Sequence, residues 1–369
     1  MDRGHNVLSP HMEREARPDG IRAVLARVPL LKDVRLENIG IQRLSGALTN
    51  VSYKVTTEAG AYVLRLAGEG TSDYVDRTAE AHNARAAAAA GVNAEVLYFD
   101  AREGTMLTRF VEGTGMDGEG FSRGSEAPAR AALALKRVHG AGRVFRSRFD
   151  AFAMIEGYVD LLHGLRMPLP EDYYEVGREA GAVRRALEAS PMPLVPCHND
   201  PWPGNLLDTG GDIYIIDWEY SGMNDPAWDL GDLSVEAGFE PEQDQAMMEA
   251  YYGGPAPAAL YSRLALYKTM SDLHWSLWAL IQHANGNPAD DFRTYAATRL
   301  ERCKARMGRA DFGLHLATAA TAATVPRSRA SSPRRAYRSD SEHRAPLHRV
   351  SGSVQRPASS PLPPPATSA

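Results

Sequence analysis

The sequence predicts an α+β chain in two lobes, an antiparallel N-terminal sheet with one helix followed by a mostly helical C-terminal lobe. Three observations carry that expectation. Between Ile41 and Phe110, short runs of β-branched and aromatic residues alternate with turn formers, as in a series of hairpins. From Met116 onward, apolar residues recur at helical spacing over long stretches. Among those helices lies one strand–loop–strand passage, Pro196 to Gly231, with a concentration of His, Asp and Asn.

The chain in order supports this division. Residues 1–20 are polar and turn-rich and read as a flexible arm. Ile21, Val24, Leu25 and Val28 share a helical face that Pro29 ends. Strands are expected at Ile41–Leu44, Val51–Thr56 and Ala61–Leu66, parted by Ser45-Gly46-Ala47-Leu48-Thr49-Asn50 and by a turn at Glu58-Ala59-Gly60. A small-residue turn of the first kind can offer backbone N–H groups to phosphates, although a plain hairpin reads the same way. An Ala-rich helix is expected from Asp73 to Ala90, stopped by Gly91. Two more strands follow, at Val96–Phe99 and Thr105–Phe110, and Val111 to Gly115 breaks the pattern as a hinge. The N-lobe is therefore placed at residues 21–112 and the C-lobe at residues 113–316.

In the second lobe the spacing predicts helices over Glu126–Gly140, Ala153–Leu165, Asp172–Ala189, Pro226–Glu236, Glu242–Tyr252, Ala258–Ala284 and Asp290–Met307, with Ala310–Leu314 finishing the folded part. His139 and His163 lack the partner spacing of metal ligands and read as core or surface residues. Residues 317–369 are rich in Ala, Ser, Pro and Arg and bury too little apolar surface to fold, so they read as a disordered basic tail.

Composition narrows the class. Of 369 residues, 44% are hydrophobic and 24% charged, the balance of an ordinary globular chain. No apolar run approaches a membrane span, and the N-terminus lacks the apolar core of a signal peptide. Cys197 and Cys303 are too few for a disulfide framework and read as buried small hydrophobes, so a cytoplasmic location is expected. From Gly313 onward, eight Arg and no Lys stand against one Asp and one Glu; this surplus of +6 within a net charge of −5 leaves the remainder at −11. An acidic body is a poor nucleic-acid binder and a reasonable host for a cationic small molecule. The sequence leaves the oligomeric state open.

The spacing His198-x-Asp200-x-x-x-x-Asn205 matches the catalytic-loop pattern of protein kinases. Asp217 follows after a turn at Asp208-Thr209-Gly210-Gly211-Asp212 and the apolar run Ile213–Ile216. Phosphoryl transfer to an alcohol needs a carboxylate to take the hydroxyl proton and oxygen ligands for Mg²⁺ beside the phosphates. Asp200 suits the first task, Asn205 and Asp217 the second, and His198 suits bracing the loop. A polar loop before a buried strand would account for one such residue, but not for the ordered set.

With His198-Asn199-Asp200-Pro201, Asn205 and Ile216-Asp217-Trp218-Glu219-Tyr220, the chain resembles the choline/ethanolamine kinase family, among the aminoglycoside-phosphotransferase-like kinases, from about Leu31 to Gly313. The resemblance implies a two-lobed protein-kinase-like fold, ATP and Mg²⁺ as cofactors, and choline or a close amino alcohol as acceptor. It implies that Ser45, Gly46, Thr49 and Asn50 lie over the phosphates, with Ala47 standing where the family often has a second glycine. It gives Arg65, on the third strand, the role of phosphate cation with Glu80 as its partner, and Asp229 that of anchoring the catalytic loop from below. Trp275 and Trp278 are three apart and so share a helix face, either as core or as an aromatic wall for a quaternary ammonium. The family is similar in its paired Trp, which favours the wall, with Tyr220 and Glu219 completing the pocket and Phe239 a further candidate. The alternatives are a kinase for ethanolamine, an aminoglycoside or another small alcohol, and an inactive kinase-like nucleotide-binding protein. The four intact polar residues argue against the last.

Overall fold

The structure, a computed structural model, describes residues 18–44, 50–68, 71, 75–116, 118–121 and 126–321. The expected phosphate-loop residues Ser45, Gly46 and Thr49 lie outside the described residues, as do most of the arm and of the tail.

The first lobe is a five-stranded antiparallel sheet in the order β1-β2-β3-β5-β4: β1 Gly40–Leu44, β2 Val51–Thr57, β3 Gly60–Leu66, β4 Val96–Asp100 and β5 Thr105–Arg109. Along β2, Val51, Tyr53 and Val55 are buried while their neighbours are not, the two-residue period of a half-covered strand. That face packs on Ile21, Leu25 and Val28 at the start of the chain, where helix α1, Pro18–Ala26, is ended ahead of Pro29. Helix α2, Arg77–Ala89, is favoured by its alanines and capped by Asp76, which accepts from the N–H groups of Thr78 (2.9 Å) and Ala79 (3.0 Å). The cap sets Arg77 and Glu80 in the first turns, where both side chains are buried.

The second lobe contains α3 Glu126–His139, α4 Ala151–Gly164, α5 Glu171–Ala189, α6 Pro226–Glu236, α7 Pro241–Tyr252, α8 Ala258–Ala284, α9 Phe292–Met307 and α10 Phe312–Ala320. Helix α8 is buried on nearly every face and packs against α4, α6, α9 and α10. It meets α6 at Gly231, where a Cβ would lie 3.0 Å from Tyr267 Cβ and 3.1 Å from the Lys268 backbone N. Only glycine permits that approach, and it brings the acids of α6 against α8. Two short sheets hold the polar passage: β6 Thr114–Gly115, β8 Leu206–Asp208 and β9 Ile213–Ile215 in the order β6-β8-β9, and β7 Val195–Cys197 paired with β10 Gly222–Asn224.

Three expectations are corrected here. The segment read as a patternless hinge supplies β6, because Thr114 and Gly115 pair with Asp208 and Leu207. The last helix continues past residue 316 to Ala320, because Phe312 and Ala319 are buried in the helical core. Phe239 packs edge-on against Phe121 at 5.1 Å, in a different core cluster from Trp275 and Trp278.

One core residue makes a stability prediction. His274 on α8 is fully buried among Trp275, Tyr158, Phe149 and Trp228, at centroid distances of 4.8–5.7 Å, and neither ring nitrogen has a hydrogen-bond partner among the described residues. Burial, with a smaller contribution from Arg299, holds its pKa down to about 3. Between about pH 6.5 and 3 the unfolded chain therefore takes up a proton that the folded chain refuses. Stability from this group is complete above that window and is lost on acidification at about 1.4 kcal/mol per pH unit. Thermal melts of the parent and of His274→Phe from pH 7 to pH 4 should show the variant gaining steadily on the parent. A constant difference across that range would contradict the assignment.

Candidate active site

The loop that the sequence marks as a catalytic-loop match, from His198 to Asn205, follows β7. Asn199 adopts a left-handed backbone (φ 70°), a conformation that Asn tolerates better than most residues. Its own groups hold it there: its N–H donates to Asp229 Oδ1 (2.8 Å), its amide donates to the Tyr220 carbonyl (2.9 Å), and its carbonyl accepts from Trp228 Nε1 (3.1 Å). Asp229, on α6, also accepts from the His198 N–H (2.8 Å) and from His139 Nε2 (2.9 Å). One buried carboxylate thus anchors two consecutive loop amides from beneath.

His198 is a brace by its contacts. Its Nε2 lies 2.9 Å from the Ile216 carbonyl, which requires the proton there, and its Nδ1 then accepts from the Asp200 N–H at 3.3 Å. Burial pushes its pKa down, consistent with a neutral ring. The imidazole also packs edge-on to Trp218 at 4.7 Å.

Asp200 follows at the end of this braced loop. Burial, then the carboxylates of Asp232, Glu236, Asp217 and Glu219, push its pKa well above the usual carboxylate range. Asn205 turns its amide NH₂ back to Asp200, 3.1 Å from the carbonyl and 3.5 Å from Oδ2, which directs its amide oxygen away from Asp200. Its carbonyl accepts from the Ile216 N–H (2.9 Å) beside the β8–β9 pairing, so the loop and the residue preceding Asp217 are tied together. Asp217 is also left-handed (φ 64°), and its carboxylate is 24% exposed. A strained, partly accessible acid of this kind persists only where its surroundings fix it.

From the N-lobe, Arg65 on β3 donates to Glu80 and, at 2.8 Å, to Asp217 Oδ1. Asn50 donates to Asp217 Oδ2 (3.3 Å) and Glu219 Oε2 (3.2 Å) and accepts from the Gly68 N–H. Arg77, which sequence reasoning missed, donates to Glu80 (2.7 Å), Glu219 (3.3 Å) and Thr71. Its signal was local: an Arg three residues before Glu80 on the same helix. Glu219 was expected to face the amine pocket. Its carboxylate instead faces these arginines, because Arg65 and Arg77 have side chains only 5% and 3% exposed and require buried counter-charges. Burial and then Asp217 push Glu219 up to about 7, against the pull of Arg65 and Arg77.

Three residues after Asp217, Tyr220 meets Trp275 edge-on at 5.6 Å, and Trp275 meets Trp278 at 5.7 Å. Both indoles are largely buried, 5% and 7% exposed. The Trp275 N–H donates to Asp232 Oδ1 (2.8 Å), another contact that the sequence did not disclose.

Taken together, a loop carboxylate, an amide oxygen with a second carboxylate, and a buried arginine–glutamate pair are the kinds of group that phosphoryl transfer uses. The oxygen-only donors fit Mg²⁺: Asp217 accepts from Arg65 and Asn50 yet has lone pairs to spare, and Asn205 has its oxygen directed away from Asp200.

Fold and site define a phosphotransferase, and residues 40–267, more than half of the chain, match the phosphotransferase enzyme family (APH). The chain is similar to a choline/ethanolamine kinase family protein from Mesorhizobium loti of known structure, at 47% identity and a TM-score of 0.74, over 82% of this chain and 99% of that one. Protein LicA of Haemophilus influenzae is 27% identical over 267 residues, covering 69% of this chain and 76% of the relative. The structure of choline kinase LicA from Streptococcus pneumoniae shares the fold at 24% identity, with a TM-score of 0.64, over 80% of this chain and 99% of that one. The chain belongs to the choline/ethanolamine kinase family, with its two-lobed protein-kinase-like fold. No helix among the described residues is long and apolar enough to cross a membrane.

Proposed function

We propose that this small-molecule kinase transfers the γ-phosphoryl group of ATP to the hydroxyl of choline or a close amino alcohol. The observation that carries the proposal is the position of Tyr220 three residues after Asp217, with its ring against Trp275 and, through it, Trp278. Aromatic faces attract ammonium ions by roughly 0.5–2 kcal/mol each, without needing a donated hydrogen bond. The names of the LicA and Mesorhizobium loti relatives support the same acceptor class.

In this reading Asp200 accepts the hydroxyl proton as the alcohol oxygen bonds to the γ-phosphorus and ADP leaves. Mg²⁺, held by Asn205 and Asp217, would offset charge on the phosphates. Arg65, steadied by Glu80, binds phosphate oxygens, and Asn50 orders the same side of the site. An ADP-release assay across choline, ethanolamine, aminoglycosides and sugars, with and without Mg²⁺, tests the proposal. Turnover confined to uncharged alcohols would overturn it.

Two variants follow. Trp278→Leu removes one aromatic face whose N–H has no hydrogen-bond partner among the described residues. It should raise the KM for choline about 3- to 30-fold at unchanged KM for ATP, with Trp278→Phe largely restoring it. Glu80→Gln weakens the charge that orients Arg65 and should raise the KM for ATP about tenfold, leaving that for choline unchanged. Steady-state kinetics with each substrate varied checks both; an unmoved KM in either case contradicts that role.

A further inference from the structure

Helix α2 presents different surroundings on its two sides. On one side Glu80 meets Arg65 and Arg77. At about 3.6 residues per turn, Thr78, His82 and Arg85 fall on the opposite side. There they line a cleft of about 720 Å³ with Phe99, Arg143 and Arg146, and none of the described residues lining it is Asp or Glu.

The wall facing α2 is the segment between α3 and α4, and it is pinned to the helix. His82 Nε2 donates to the Val144 carbonyl (3.2 Å). The fully buried Asn83 side chain accepts from the Arg146 N–H (3.0 Å) and donates to Ser147 Oγ (3.0 Å). The backbone that carries Arg143 and Arg146 is therefore fixed before any ligand arrives.

The charge of the cleft is unmatched. Arg27 and Arg109 of the same lobe pair with Glu103 and Glu95. Among the described residues no carboxylate forms an ion pair with Arg85, Arg143 or Arg146, and Arg85 reaches only the Ala81 carbonyl of its own helix (3.2 Å). The acids nearest in sequence, Asp76 and Asp100, accept backbone N–H groups. Three guanidinium groups around one cleft repel one another, and an anion among them relieves that repulsion. Each can hold phosphate oxygens through two bonds. A carboxylate has two oxygens and leaves an arginine unmatched, whereas a phosphomonoester dianion offers three. Phe99 and Val144 give the carbon part of the ester an apolar surface.

Going beyond the kinase reading, we propose that this cleft is a second anion site, which takes a phosphomonoester on the side of α2 away from Arg65. Arg85, Arg143 and Arg146 neutralise its phosphate, and the Thr78 hydroxyl supplies a further donor.

Inorganic phosphate is the first probe, titrated into the full chain at constant ionic strength with excess ADP and Mg²⁺ to fill the nucleotide site. Thermal shift should show that phosphate stabilises the parent more than chloride does. Arg143 and Arg146 are exposed, so Arg143→Gln/Arg146→Gln should fold as the parent does. Its apparent Kd for phosphate should rise roughly tenfold for each arginine removed, while Arg185→Gln, on the exposed surface of α5, should leave it unchanged. Equal effects of phosphate and chloride on the parent, or undiminished affinity in the double variant, would overturn the proposal. Cosedimentation with phosphatidylcholine vesicles, with and without phosphatidic acid, distinguishes the sources of the ester. Binding that phosphatidic acid confers and the double variant loses assigns a lipid-borne phosphomonoester; a response to phosphate without vesicle binding assigns a free one; a response to neither also overturns the site. These measurements read binding alone, so a protein without kinase turnover could still fill the cleft, and an empty cleft would leave the kinase reading intact.

Discussion

Replacing Asp200 by asparagine is expected to lower kcat by about 10³–10⁴-fold, the scale of a lost general base, while nucleotide affinity survives. The substitution keeps the side chain's shape, so the Asn205 contact at 3.5 Å can persist in altered form and the His198 brace, which grips the backbone, is untouched. What is lost is the ability to take a proton. Burial and four neighbouring carboxylates push the Asp200 pKa upward, so the parent residue is a stronger base than an exposed Asp. The asparagine amide has no such capacity. Single-turnover kinetics with a fluorescent nucleotide separates the two quantities. Retained turnover would remove Asp200 from the role of base, and lost nucleotide binding would show that it also shapes the other half of the site.

Asp229→Ala is expected to damage both the fold and the chemistry, although Asp229 is proposed to touch neither substrate. Its carboxylate accepts from the His198 and Asn199 amides and from His139, all buried. Removing it leaves three donors unmatched in a site closed to water, a loss of roughly 3–5 kcal/mol. For a domain of this size that corresponds to a fall in Tm of about 5–15 °C. The loop it anchors carries Asp200 one residue further on, so kcat should drop about 10²-fold in the fraction that remains folded, as for a misplaced catalytic group. The KM for ATP should change little, because Arg65 and Glu80 belong to other elements. Melting curves and kinetics at a temperature below both transitions check this. A variant that melts like the parent would show that the loop holds itself.

Much of this was legible because it is local. Helices α6 and α8 occupy the ranges their sequences mark, since Pro226 and Pro257 fix their starts and the apolar pattern runs unbroken to their ends. The strands of the first sheet fall within a residue of expectation, since their two-residue period is set by neighbours in sequence. The misses share a different cause. Thr114 and Gly115 carry no strand pattern and pair only because β8 lies beside them. The Ala-rich end of α10 looked too poor in apolar surface to fold, yet Ala319 finds a buried place against the helical core. Phe239 was a plausible wall residue by type, and only packing sent it to Phe121.

The sequence by itself determined the two-lobed α+β order, the ordered set His198, Asp200, Asn205 and Asp217, and the family to which they point, because residue type and spacing follow from the chain alone. The tertiary structure decided which charges face which. Arg77 meets Glu219 across 142 positions, His139 meets Asp229 across 90, and Trp275 meets Asp232 across 43. Backbone periodicity is fixed by neighbours three or four residues away. The pairing of buried polar groups is fixed by desolvation, which acts only once distant elements have closed over them.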